Sequence, residues 1–73
     1  MSATASFSDI RRMLESCAPG HSIRLATHSW VIHYNGLVFP SLPKFENIEL
    51  GHVRKMVRHL GIARECAEQY GVI

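Results

Sequence analysis

The chain has no run of about 20 apolar residues, the length that a membrane-spanning helix needs. Its opening stretch, Met1-Ser2-Ala3-Thr4-Ala5-Ser6, has neither the basic region nor the apolar run of a secretory signal. Both absences lead us to expect a cytoplasmic protein. Cysteine is scarce, with only Cys17 and Cys66 in 73 residues. In a reducing compartment the two are expected to behave as small hydrophobes; a Cys17–Cys66 disulfide is the alternative in an oxidising one. Charge is also sparse. Eight Lys and Arg against six Asp and Glu leave a formal +2, too little for total charge to announce a nucleic-acid binder. The cations are grouped, however, as Arg11-Arg12 and as Arg54, Lys55 and Arg58, and local grouping is what makes a phosphate-binding face.

A hydrophobic content of 47% is ordinary for a globular domain. One small domain over residues 6–73 is expected, with residues 1–5 disordered. A chain this short buries only about 60% of the surface its unfolded form exposes. Its stability is therefore marginal without a staple or a partner.

Two segments share a helical spacing of apolar residues: Phe7, Ile10, Met13, Leu14 and Cys17, then Leu50, Val53, Met56, Val57 and Leu60. Ser6 is placed to cap the first, with Asp9 three residues on, and Pro19-Gly20 stops it. The second is expected to start after Asn47 and to end at Gly61, with Arg58 and His59 at its negative end. Between them the period falls to two. Ile23 and Leu25 alternate with Arg24 and Ala26, and Trp30, Ile32 and Tyr34 alternate with Val31 and His33. Asn35-Gly36 marks a tight hairpin turn. A third strand over Leu37-Val38-Phe39 should stop at Pro40, leaving residues 40–47 as a loop. A short last helix follows Gly61, with Arg64 and Glu68 paired at i, i+4. The expected fold is two-layer α+β: a three-stranded antiparallel sheet with two helices on one face, plus a short C-terminal helix. That arrangement is similar to the double-stranded RNA-binding fold.

His28 lies in Ala26-Thr27-His28-Ser29-Trp30, at the mouth of the first hairpin. Histidine is the side chain that supplies a base near neutrality unaided. Set on a sheet beside a basic amphipathic helix, it suits attack of an RNA 2′-hydroxyl on the neighbouring phosphate. Arg24 and Lys44 are candidates by position to meet the phosphate charge. Arg54, Lys55 and Arg58 are candidates for contacts that read RNA by shape. The plain alternatives are a solvated strand residue at 28 and a solvated helix face. His33 should point to the opposite sheet face from His28. His52 and His59 share a helical side but lack Cys or acidic companions, so no metal site is expected. Trp30 is read as core, and Arg11-Arg12 as helix surface.

The stretch from about Ser8 to Gln69 resembles the HicA family of bacterial toxins. The matches are Ala26-Thr27-His28 to a Gly-Ser-His motif, and Phe39-Pro40 to a Val-Pro segment. Ile48-x-x-Gly51-His52-Val53-x-x-Met56-Val57-x-x-Leu60-Gly61-Ile62 matches the second-helix pattern. The resemblance implies an mRNA-cleaving endonuclease that uses no metal or other cofactor, with His28 as its catalytic group. It also implies a HicB-like antitoxin as partner; an open sheet face would also allow a homo-oligomer. A non-catalytic module holding RNA or protein is the alternative on the same fold. A helix-turn-helix over residues 48–70 is a weaker one, because Glu65 and Glu68 would face a polyanion.

Overall fold

The computed structural model describes residues 3–73. The chain runs β1 (Thr4–Ser6), α1 (Phe7–Cys17), β2 (Ser22–Leu25), β3 (Ser29–Tyr34), β4 (Leu37–Pro43), β5 (Asn47–Glu49), α2 (Leu50–Leu60) and α3 (Arg64–Glu68). It is a small α+β protein built on the antiparallel sheet β2-β3-β4.

The ends of both long helices follow from their terminal residues. Ser6 is extended, and its hydroxyl accepts the Asp9 amide at 3.1 Å, satisfying one of the donors a helix start leaves open. Gly61 closes α2 in the left-handed region at φ 71°, and the Ile62 amide reaches back to the Val57 carbonyl at 3.0 Å. Asn35 and Gly36 both take positive φ, 57° and 75°, and bring Tyr34 opposite Leu37. This is the twist a two-residue hairpin needs.

Strand β4 runs through Pro40 as far as Pro43, where the chain was expected to leave the sheet at Pro40. The register explains the difference. Trp30 lies opposite Leu42 but Ile32 opposite Phe39, so β4 spends one extra residue against Val31. Pro40 sits in this bulge on an edge strand, where a missing amide costs no regular ladder bond.

Residues 1–5 were expected to be disordered. Met1 and Ser2 lie outside the described residues, but Thr4–Ser6 form a strand antiparallel to β5, within what was read as the second helix and the loop before it. Ala5 faces Ile48 across this ladder, and both are buried. Backbone bonds from Phe7 to Glu46 and from Leu50 to Ala3, each 3.1 Å, bracket it. Because Asn47 and Ile48 are used in the ladder, α2 begins at Leu50, with Glu49 as its cap residue.

The cysteines are not free thiols. Cys17, in the last turn of α1, is bridged to Cys66 of α3 with Cα atoms 5.8 Å apart, a normal disulfide separation. Each lies on the apolar side of its helix, so packing α3 against α1 brings them together. Ile10, Met13 and Leu14 of α1, Val53, Met56 and Leu60 of α2, and Ile32 and Leu42 of the sheet are all fully buried in one core. Ala67 and Val72 close it from the C-terminal side. The other sheet face carries Ser22, Arg24, Val31, His33 and Val38 by register. No described helix is long and apolar enough to cross a membrane.

Candidate functional site

Ala26, Thr27 and His28 connect β2 to β3, with Thr27 and His28 at the tip of a turn that the Ala26 amide closes by donating to the Ser29 carbonyl at 2.8 Å. Both are exposed. The turn is tied to its neighbour as well: the Ser29 hydroxyl donates to the Pro40 carbonyl at 2.8 Å. Ser29 and Pro43 are the last pair of the β3–β4 ladder. His28 and Lys44 are the next residues of their segments beyond that pair, at the same end of the sheet. Phe45 comes next and is 69% exposed. With Lys44 it belongs to the stretch expected to be a loop, where an apolar residue between Lys44 and Glu46 gave it no assigned role.

Of the other residues picked out for this site, Arg24 stands on β2 opposite Val31, exposed on the open sheet face. His33 is on that face too, opposite Ser22 and Val38. Four residues separate it from His28, and five steps of extended chain span about 16 Å. The two imidazoles do not share one phosphate.

All three helix cations are exposed on α2. Arg54 and Arg58 line a groove of about 410 Å³ whose apolar wall is Val57, Ile62 and Ile73, and Arg64 of α3 completes it. Lys55 is not part of that groove; one residue on from Arg54, it is turned by about 100° around the helix. Arg64 holds Glu68 at 2.9 Å, as its spacing predicted, so its place beside Arg54 and Arg58 emerges only once α3 is folded against α2. Arg12 lies 4.0 Å from Asp9, both exposed. Arg11 instead lines a groove along α1 with Phe7, Glu15, His21, Ile23 and Trp30.

His59 faces Phe39 with ring centroids 6.0 Å apart, and His52 is half-buried. Among the described residues no three His, Cys, Asp or Glu side chains converge as a metal site. The helix-turn-helix alternative loses its reading helix, because α3 has five residues and its Arg64 is engaged by Glu68.

The sheet end thus offers a solvated imidazole, a hydroxyl at Thr27, an ammonium at Lys44 and an aromatic ring at Phe45, all on short connections. Such a set can take a proton from, and neutralise, a polyanion lying across it. Comparison with protein-family models, with curated proteins and with solved structures finds no match to this chain.

Proposed function

We propose that the chain is an RNA endonuclease of the HicA type, the toxin of a type II toxin–antitoxin pair, with His28 as its general base. The observation that carries this is the exposure of His28 in a two-residue turn, one step beyond a ladder pair that also delivers Lys44. His28 takes the proton of an RNA 2′-hydroxyl. The freed oxygen attacks the adjacent phosphorus, the bond to the 5′-oxygen breaks, and water protonates the leaving oxygen. Lys44 meets the charge that grows on the phosphate, and Arg24 extends the positive surface along the open sheet face.

A three-stranded sheet with its helices on one face also supports a fold of the double-stranded RNA-binding kind, with β1 and β5 as an addition. Messenger RNA as substrate implies the cytoplasm, whose thiol pool favours the reduced form of Cys17 and Cys66 over the bridge. A HicB-like antitoxin is the partner that belongs with this activity.

The test is expression without an antitoxin, followed by cleavage of RNA by the purified protein in EDTA. Wild type is expected to arrest growth and cut RNA, and His28→Ala to do neither while keeping its amide spectrum. A harmless wild type ends the toxin assignment. RNA that is bound but left whole, with binding lost on neutralising Arg54 and Arg58 whatever stands at residue 28, would put a non-catalytic binding module in its place.

A further inference from the structure

Strands β2 and β4 are the two edges of the main sheet, and they are built differently. β4 carries Pro40, Pro43 and a bulge, and α2 packs against it. Each of these obstructs the addition of another strand. β2 reads Ser22-Ile23-Arg24-Leu25, with no proline, lysine or bulge, and it pairs with β3 alone.

The register fixes which of its groups stand open. Ala26 and Ser29 are a hydrogen-bonded pair. Alternation along an antiparallel ladder makes Arg24–Val31 the next bonded pair and leaves Ile23–Ile32 and Leu25–Trp30 as the unbonded ones. Ile23 and Leu25 therefore aim their N–H and C=O groups at the open edge, and no hydrogen bond among the described residues uses them. Beside that edge runs a groove of about 350 Å³ against α1, with Phe7, Trp30 and Ile23 as its apolar wall. Leu25 is 49% exposed along the same face. On the other face Arg24 has no ion-pair partner among the described residues.

We propose that the β2 edge is a strand-addition site for an extended segment of another polypeptide, in which apolar residues alternate with acidic ones. Laid antiparallel on β2, such a segment sets its apolar side chains over Ile23, Leu25 and the Phe7–Trp30 wall. Its carboxylates fall on the outer face against Arg24. Main-chain bonds supply affinity and the alternating side chains supply selectivity. A second copy of this chain fits less well. The two-fold register that uses both Ile23 and Leu25 sets Arg24 against Arg24 of the second copy, and like charges directly opposite each other destabilise a strand pair.

The probe is the capped hexapeptide acetyl-Glu-Val-Glu-Val-Glu-Val-amide, titrated into the ¹⁵N-labelled full chain with its disulfide intact. Amide shifts are expected at Ile23, Leu25 and the residues of the groove. Residues directly opposite across a ladder share a face, so the valine amides are the ones that bond to β2. N-methylating the valines should weaken binding by about tenfold or more, and N-methylating the glutamates by much less. Leu25→Pro removes an outward N–H without touching a β2–β3 ladder bond, and should weaken binding to a similar extent. The methylated peptides keep the test intact if that variant fails to fold. Equal affinity for the two methylated peptides, or no shift at millimolar peptide, overturns the proposal. Shifts of β2 amides on dilution without peptide overturn it too, by giving the edge to a second copy.

Discussion

Phe7 and Trp30 stack with ring centroids 4.4 Å apart and planes 8° from parallel. Phe7 opens α1, and Trp30 follows His28 by two residues on β3. The stack therefore ties the start of a helix to the strand that anchors the candidate catalytic turn. Removing one ring forfeits its packing and leaves the other more exposed. We expect Phe7→Ala to cost about 2–3 kcal/mol, read as a lower urea midpoint with an unchanged slope. If the midpoint does not move, the stack contributes nothing and the turn is held by the Ala26–Ser29 and Ser29–Pro40 hydrogen bonds.

Reduction of the Cys17–Cys66 bridge should destabilise the domain more than any single core truncation short of a large cavity. The bridge spans 49 residues, and on the chain-entropy account closing a loop of that size is worth about 4 kcal/mol. A Cys17→Ser, Cys66→Ser double variant is expected to melt well below the oxidised wild type, and to match wild type treated with a thiol reductant. Equal melting with and without reductant would show that the C-terminal segment holds to α1 without the bridge, by the packing of its buried residues and the hydrogen bond from the Tyr70 hydroxyl to the Ser16 hydroxyl.

Gly61→Ala isolates a backbone effect. The glycine sits at φ 71° with nothing within 4 Å of where a Cβ would stand, so the only cost is the left-handed conformation. That cost is about 1–2 kcal/mol. Thermal unfolding should show the loss without any change in the near-ultraviolet spectrum of Trp30.

Features set by a few adjacent residues were legible in the chain. The Ser6 cap, the Asn35-Gly36 turn, the Gly61 stop and the Arg64–Glu68 pair each depend on chemistry within four positions. What escaped depends on partners far away in sequence. Thr4–Ser6 and Asn47–Glu49 are three residues each and present one buried side chain apiece, Ala5 and Ile48, so neither shows alternation by itself. Pro40 reads as a strand end until the bulge opposite Val31 supplies a place for it. The cysteines are 49 positions apart and meet only because α3 lies on α1. For the same reason, the groove that joins Arg64 to Arg54 and Arg58 could not be seen while Arg64 was accounted for by Glu68. The candidate site was legible only in part: spacing puts Arg54, Lys55 and Arg58 on one exposed helix, whereas the sheet end that His28 and Lys44 share follows from the register of distant strands.

The placement of Lys44 at the sheet end and of Arg58 in the groove beside α3 yields the sharpest test of where RNA lies. If the substrate crosses the sheet end, Lys44→Ala removes a cation beside the reacting phosphate. It should lower the cleavage rate at saturating RNA by about tenfold or more, in line with removal of one charge that stabilises the transition state. Arg58→Ala, in the groove beside α3, should leave that rate within about threefold and change only the RNA concentration needed, since a cation on a remote phosphate binds ground and transition states alike. The salt dependence should change alike in both variants: each phosphate that is no longer neutralised reduces the slope of log affinity against log salt by about 0.7 for a single strand. Single-turnover cleavage over a range of potassium chloride measures both quantities in one series. A rate that falls with Arg58→Ala and is indifferent to Lys44→Ala would move the substrate from the sheet end to the helix groove, and with it the base away from His28.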